Sequence, residues 1–189
     1  MTEKLDRIIN GIALVLNKLS QPQYRGPSMN FYQQSGGQFQ FSAAGPRYRD
    51  PESNGSGDSV AWSSKPGAVF VEAAPPDPAN KDRLDWTNSK IVFAMSDKDI
   101  GEIIWALKTG APEARLVHAP DENARENNKT FRLKKEQEFR GQPQWSMGLT
   151  EKKNGTEKRV SIFIKGPDVI RLQLLLESSL PIIMGSNKA

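Results

Sequence analysis

The chain repeats one order of predicted elements, several strands followed by one helix, and this order most constrains its fold. Alternating and apolar segments of the first half predict strands at 29–34, 38–41 and 90–95, and either two strands or one long bent strand at 59–63 and 67–74. A helix follows after Ser96. The second half predicts strands at 114–118, 130–135, 144–151 and 157–164, ahead of a helix that opens at Pro167. Runs of strands followed by helices are typical of α+β folds. The order therefore predicts an α+β protein made of two ββββα units.

Two glycine-containing turns support this division into strands. Ser35-Gly36-Gly37 separates the first two strand candidates and allows a tight turn or bulge. Asn154-Gly155 separates the last two, and this dipeptide is a strong hairpin signal. Both pairs of strands are therefore expected to be antiparallel hairpins.

A strand that turns directly into a helix is predicted at residues 90–110. The dense apolar run at 90–95 predicts a strand that is buried on both faces. Ser96 is expected to be the N-cap, with Asp99 as the N3 carboxylate of a capping box. Gly110 is expected just past the end of the helix. Helix capping thus explains the acidic residues here better than a pair of catalytic carboxylates does.

The last helix is apolar nearly all round, and such a helix must be covered on several sides. It opens with Pro167 in its first turn and is predicted to kink or end at Pro181. We expect it to be buried in the core of an oligomer. The residues predicted for that oligomer core are Leu172, Leu175, Leu176, Leu180 and Ile183.

Composition excludes several classes of site. The chain has no Cys and one His, which excludes disulfides, Cys-based zinc sites and thiol nucleophiles. The sequence contains no phosphate-binding glycine motif, nucleophile elbow or metal-ligand cluster. We therefore expect no enzyme activity, no metal and no cofactor. His118 is expected to be an ordinary strand residue.

The sequence also bears on where the protein acts. No apolar stretch is long enough to span a membrane, and the N-terminus lacks the pattern of a signal peptide. We expect a cytoplasmic or nucleoid-associated protein that is not secreted, with an organellar or viral source left open.

Residues 1–27 are predicted to be an N-terminal amphipathic helix and linker, ahead of a domain that spans 28–189. Apolar residues recur at helical spacing over 2–19. This stripe needs a covering surface, which is the protein's own core, another protomer, or a larger complex to which the chain docks as an adaptor. The residues predicted to contact a protein partner are Leu5, Ile8, Ile9, Ile12 and Leu16.

Aromatic and basic residues occur together on the predicted strands, and the net charge is +4. Single-stranded nucleic acid is bound by rings that stack on bases and by cations that follow the phosphates. The candidate binding residues are Phe31, Tyr32, Phe39, Phe41, Trp62, Trp86, Lys90, Arg132, Lys134, Trp145, Lys158 and Arg159. The alternative is that the rings are core residues and the cations a solvated face. Phe93 and Phe163, inside dense apolar runs, are assigned to the core.

Two segments carry a resemblance to a known family. The stretch DWTNSKIVFAMSDKDIGEIIWAL resembles the middle of the Whirly family of single-stranded-DNA-binding proteins, in which an Asp-Trp dipeptide, here Asp85 and Trp86, leads into an apolar strand that contains a lysine, here Lys90. The stretch LQLLLESSLPIIMG is similar to the closing helix of that family. Kinetoplast guide-RNA-binding proteins of related fold would show much the same layout. The family's Lys-Gly-Lys-Ala-Ala-Leu motif is absent, because the matching region FYQQSGGQFQFS has no Lys.

The resemblance implies a Whirly-like α+β fold of two four-stranded antiparallel sheets, packed roughly perpendicular, with two main helices. It implies a homotetramer whose helices form the centre. It also implies sequence-tolerant binding of single-stranded DNA, in replication, repair, recombination or transcription. The alternatives are an RNA-binding or strand-annealing protein of the same fold, or an adaptor that docks through its N-terminal helix.

Overall fold

The computed structural model describes residues 25–48, 64–65, 67–119, 127–138, 140–142 and 144–185. The helix predicted at 2–19 and the strand predicted at 59–63 lie outside these residues. Both therefore stay predictions, as does the N-terminal stripe for a protein partner. The domain boundary after residue 27 also stays a prediction, and the first strand of the structure begins at Arg25.

The first sheet has four antiparallel strands in the order β1-β2-β5-β6. They are β1 (Arg25–Gln33), β2 (Gly37–Ala44), β5 (Ala68–Ala74) and β6 (Ile91–Met95). A short separate pair, β3 (Arg47–Tyr48) with β4 (Ser64–Lys65), comes between β2 and β5 in the chain.

The turn between β1 and β2 is tight and requires glycine. The Gly36 N–H donates to the Gln33 carbonyl at 3.0 Å. Gly37 has a φ of +106°, and a Cβ there would clash with the carbonyl oxygen of Ala74. A residue with a side chain fits neither that backbone nor that space. The predicted Ser35–Gly37 turn is confirmed.

Helix α1 (Asp97–Thr109) begins and ends as its sequence predicts. The Ser96 hydroxyl accepts from the Asp99 N–H, and the Asp99 carboxylate accepts in return from the Ser96 N–H, so the capping box is complete. Gly110 ends the helix in the left-handed conformation, with a φ of +68°. Ile100, Ile103 and Ala106 form the buried face.

Strand β6 is buried on one face only, so the prediction of burial on both faces is wrong. Ile91, Phe93 and Met95 point into the core, whereas Val92 is half-buried and Ala94 is exposed. The reason is that β6 belongs to an antiparallel sheet that packs on the core with its inner face, and such a sheet can leave its second face to solvent.

The second sheet is a continuous meander in the order β10-β9-β8-β7. Its strands are β7 (Glu113–His118), β8 (Asn128–Lys135), β9 (Gln144–Lys153) and β10 (Thr156–Lys165). Asn154 and Gly155 both have positive φ, 50° and 76°, as a two-residue hairpin turn with that dipeptide requires. The predicted hairpin is confirmed.

Helix α2 (Pro167–Ile183) follows β10 and has Pro167 in its first turn. It continues for two residues beyond Pro181, so this proline does not end the helix, and the alternative of a kink at Pro181 stays a prediction. The side chains of Leu172, Leu175 and Leu176 are buried within the protomer itself, as is that of Ile183, and Leu180 is half-buried. These five residues are therefore part of the chain's own core, which corrects their assignment to an oligomer core.

One apolar core lies between the inner faces of the two sheets and under both helices. Phe131 of β8 packs edge-on against Phe41 of β2, with ring centroids 6.5 Å apart. Phe131 also lies 6.2 Å from Phe93 of β6. The two ββββα units therefore share a single core, and the outer faces of their sheets take no part in it.

His118 joins the two units at the start of α1. Its imidazole stacks on Phe93 with centroids 4.2 Å apart, and its Nε2 lies 3.2 Å from the Asp99 carboxylate. The residue lies at the end of strand β7 as predicted, and it also contacts the helix cap.

Candidate nucleic-acid interface

The outer face of the second sheet collects basic residues, because every second residue of each strand points away from the core. Three rows of outward residues cross the sheet from β7 to β10: Val117–Thr130–Thr150–Arg159, Arg115–Arg132–Gly148–Ser161 and Glu113–Lys134–Ser146–Phe163. We call this surface the basic face and define it by Arg115, Arg132, Lys134 and Arg159.

Two arginines of the basic face stand directly opposite each other. Arg115 on β7 is the cross-strand partner of Arg132 on β8, and both side chains are exposed. Like charges in directly opposite positions destabilise a sheet. An anion placed between them would remove that repulsion, so this pair has the charge arrangement of an anion-binding site.

Carboxylates engage part of the basic face in the structure. Glu113 accepts from Arg132 in a two-pronged bond, Nε to Oε1 at 2.9 Å and Nη2 to Oε2 at 2.8 Å. This hydrogen-bonded guanidinium holds the pKa of Glu113 below its ordinary value. In return, the Glu113 carboxylate raises the pKa of Arg132.

Glu136 makes a second carboxylate contact at the same end of the sheet. It accepts from the Ser146 hydroxyl at 2.7 Å and lies 3.4 Å from Lys134 Nζ. The hydroxyl of Ser146, and then the Lys134 ammonium, lower the pKa of Glu136. Arg159, on the opposite side of the face, forms no ion pair with any residue that the structure describes.

A shallow trough of small residues runs between β8 and β10. It is formed by Ser146, Gly148, Thr150 and Ser161. A Cβ added at Gly148 would meet no atom closer than 3.9 Å, so the space above it is open. Two strand spacings separate β8 from β10, about 9.5 Å. The trough therefore has cations along one side and, on the other, Arg159 and an aromatic ring.

That ring is Phe163, whose side chain is 49% exposed. It lies in the row of Lys134 and Ser146, outward from β10. Its assignment to the core is therefore wrong: the neighbours Ile162 and Ile164 carry the buried face of the strand, and Phe163 has the opposite orientation. Phe93, assigned to the core in the same way, is buried as predicted.

The outer face of the first sheet is mostly uncharged and carries side-chain amides. Tyr32 is 58% exposed there, and Phe70 is also exposed. Between these rings the outward residues include Asn30, Gln38 and Gln40. This face offers rings and hydrogen-bonding groups with little charge, in contrast to the basic face.

Four of the predicted binding aromatics point into the core. Phe31, Phe39, Phe41 and Trp145 are all less than 5% exposed. Each lies on the inner side of its strand, so the prediction that these rings face a ligand is wrong: a ring without free surface offers no platform to a base. Tyr32, which alternates with Phe31, is on the accessible side.

The remaining candidates are dispersed. Lys90 pairs with Glu72 at 3.1 Å at the edge of the first sheet. Lys158 donates to the Asn88 carbonyl at 2.7 Å, and this bond joins β10 to the loop before β6 instead of placing Lys158 on the basic face. Trp86 is half-buried in that loop. Trp62 lies outside the described residues. Of the predicted residues, Arg132, Lys134 and Arg159 lie on one surface, the basic face.

Arg115, Phe163 and Phe70 were missed as site residues, although strand alternation carried the signal for all three. In the run from Glu113 to His118, burial of Ala114 and Leu116 places Arg115 outward. Phe163 and Phe70 were hidden because apolar neighbours on both sides masked the alternation. Applying the period of two to every strand would have found them.

The described residues contain no group of three or more His, Cys, Asp or Glu that could hold a metal ion. In the same part of the chain, no helix is both long and apolar enough to cross a membrane.

The fold is similar to solved structures of plant proteins. The plant transcriptional regulator PBF-2 aligns with a TM-score of 0.64 and 17% identity, over 85% of this chain and 91% of that chain. WHY1 from Arabidopsis thaliana aligns with a TM-score of 0.63 and 17% identity, over 87% and 94%. WHY3 from the same plant aligns at 0.61 and 18%, over 84% and 89%. No protein-family model matches the chain, and no curated protein matches its sequence.

These likenesses confirm the predicted Whirly-like fold, with two four-stranded antiparallel sheets that are each followed by a helix. The TM-scores of 0.61 to 0.64 show the shared fold, and at identities of 17% and 18% the likeness shows the fold alone.

Proposed function

We propose that the protein binds single-stranded DNA with little sequence preference, and that the basic face is its main contact surface. The observation that carries the proposal is the pair of arginines facing each other across β7 and β8. In the free protein the Glu113 carboxylate offsets part of their repulsion, and a phosphate between them would be bound by both guanidinium groups at once.

The trough is open along its length, so a continuous single strand could lie in it, whereas a closed pocket would admit only a small ligand. Phosphates would lie along Arg115, Arg132 and Lys134, where guanidinium and ammonium groups neutralise them. A base would stack on Phe163 across the trough, a contact typically worth about 1–3 kcal/mol. Since every base has a stacking face and every nucleotide a phosphate, such binding is tolerant of sequence.

The outer face of the first sheet extends the proposed surface. Tyr32 and Phe70 would supply further stacking rings, and the amides between them can hydrogen-bond to base edges. The chemistry is equilibrium binding by charge and stacking, without a catalytic step. Trp86 and Lys90, beside this face, remain proposed contacts. The positive charge of Lys90 is already paired with Glu72.

An oligomer, with a homotetramer favoured, is part of the proposal. Ile170 and Leu174 of α2 are 61% and 59% exposed, and they lie one helical turn apart on the same side. Met184 and Trp105 are also exposed. Large apolar side chains are exposed to solvent here, and contact with another copy of the chain would bury them, which supports the proposed oligomer.

The process that the protein serves is proposed more broadly, as replication, repair, recombination or transcription. The likeness to a protein described as a plant transcriptional regulator supports transcription among these. A cytoplasmic or nucleoid-associated location stays a prediction from the sequence.

The proposal is tested by gel-shift titration with a dT oligomer, a matched rU oligomer and a duplex, combined with a mass measurement of the free protein. We expect the dT oligomer to bind most tightly and to displace the duplex from the protein in a competition experiment. Tighter binding of rU would replace DNA with RNA as the partner, which is the runner-up. Absence of binding to all three would refute the proposal.

A further inference from the structure

The basic face is partly occupied by the protein's own carboxylates. Glu113 takes two donors of Arg132 in a fork, at 2.9 and 2.8 Å. A phosphate binds a guanidinium through the same fork geometry. Glu113 and a phosphate therefore cannot use those two N–H groups of Arg132 at the same time.

Glu136 stands in the same relation to Lys134. Its carboxylate lies 3.4 Å from the ammonium and is held by the Ser146 hydroxyl at 2.7 Å. Ser146 belongs to the trough, so this contact lies at the edge of the proposed path of the strand. Glu113 and Glu136 thus contact Arg132 and Lys134, the same cations that the phosphates would contact.

From these contacts we propose that Glu113 and Glu136 act as internal competitors: they hold Arg132 and Lys134 in the free protein, and nucleic-acid phosphates displace them on binding. The inference rests on the function proposed above and adds a device that sets its affinity. The two carboxylates lower the affinity for any polyanion that binds at Arg132 and Lys134.

Exposure makes the exchange feasible without unfolding. The side chains of Arg132 and Glu113 are 45% and 31% exposed, so both can rotate into solvent. Arg159 has no ion pair within the described residues and lies across the trough. It is available for a first contact before either carboxylate moves.

A different role for Glu113 makes the opposite prediction. If the carboxylate served to aim the guanidinium at the phosphate, its removal would weaken binding. If it competes, its removal strengthens binding. The sign of the change therefore separates competition from positioning.

The test is affinity for a dT oligomer, measured by fluorescence anisotropy, for the wild type, Glu113→Gln and Glu136→Gln. Glu177→Gln is the matched control, because it also removes one negative charge and breaks an ion pair, to Lys108 on α1. Thermal unfolding of all four proteins checks that each is folded. The Arg132 Nε–H resonance, followed by NMR, reports whether the fork is broken.

We expect Glu113→Gln and Glu136→Gln each to bind about two- to fivefold more tightly than wild type, the range that an exposed ion pair is worth. Glu177→Gln should bind like the wild type. The oligomer should also shift the Arg132 Nε–H signal of the wild type away from its position in the free protein.

Equal or weaker binding by Glu113→Gln, with Glu177→Gln as reference, would overturn the inference and leave the proposed function standing. A wild-type Arg132 signal that the oligomer does not move would also overturn it. Failure of the wild type to bind the oligomer would be recognised separately, since it refutes the proposed function and the inference together.

Discussion

The side-chain oxygen of Gln33 accepts a hydrogen bond from the backbone N–H of Phe163 at 2.8 Å. Gln33 ends the first strand of one sheet, and Phe163 belongs to the last strand of the other. Strand β10 is an edge strand, so its outward N–H groups need a partner from elsewhere. Gln33 supplies one and ties the two sheets together beside the exposed ring.

This bond predicts a specific loss of stability. We expect Gln33→Ala to lower the free energy of unfolding by about 0.5–1.5 kcal/mol, the net worth of one such bond. Gln40→Ala, on the outer face of the same sheet, is the control and should stay within about 0.5 kcal/mol of wild type. Denaturant titration measures both. Equal effects of the two substitutions would contradict a role for the bond.

The two classes of aromatic residue predict opposite outcomes. Phe163→Ala should weaken binding of a dT oligomer by about 1–3 kcal/mol, with little loss of stability. Phe41→Ala should instead cost about 3–5 kcal/mol of folding free energy, since its ring is fully buried. Paired binding and denaturation experiments check this. Unchanged binding by a folded Phe163→Ala protein would remove that ring from the interface.

Acid should weaken the fold partly through Glu113. Arg132 lowers the pKa of Glu113 in the folded state relative to the ordinary 4.5. The ionised carboxylate therefore stabilises the fold above that value, and this contribution is lost as pH falls through the folded-state pKa. Between neutral pH and pH about 3, wild type should lose more stability than Glu113→Gln.

The control for this comparison is Glu138→Gln, an exposed carboxylate without an ion pair among the described residues. It should follow the pH dependence of the wild type. Parallel curves for wild type and Glu113→Gln, measured by urea denaturation at each pH, would contradict the proposed cause.

The exposed apolar side of α2 predicts where copies of the chain meet. Leu174→Arg should reduce the mass of the free protein toward that of a monomer, because a buried unpaired charge is costly at an apolar contact. Val117→Arg adds the same charge to an exposed apolar residue of the second sheet and should leave the mass unchanged. Sedimentation velocity measures both. An unchanged mass of Leu174→Arg would place the contact elsewhere.

The local signals of the sequence predicted most of the fold. Ser96, Asp99 and Gly110 define the ends of α1 through short-range hydrogen bonds and backbone conformation, and these depend only on neighbouring residues. Asn154 and Gly155 define their hairpin for the same reason. Such features can be read without knowing what the rest of the chain does.

The side of a strand on which a ring lies was harder to predict. Phe41 has polar neighbours but is buried, whereas Phe163 has apolar neighbours but is exposed. Which face of a strand meets the core is decided by the sheet packed against it, and that partner is distant in sequence. Likewise, α2 is covered by its own two sheets along Leu172 and Leu176, which an apolar pattern alone cannot distinguish from cover by another copy.

Salt dependence of single-strand binding tests the central claim most directly. Affinity of the wild type for a dT oligomer should fall steeply with salt, with a log–log slope of about −0.7 for each neutralised phosphate. Arg115→Ala and Arg159→Ala should each bind more weakly and make the slope shallower by about that amount. Lys98→Ala, on α1, should match the wild type. The account would be contradicted by an affinity that does not change with salt concentration, or by a salt slope that is the same in wild type, Arg115→Ala and Arg159→Ala.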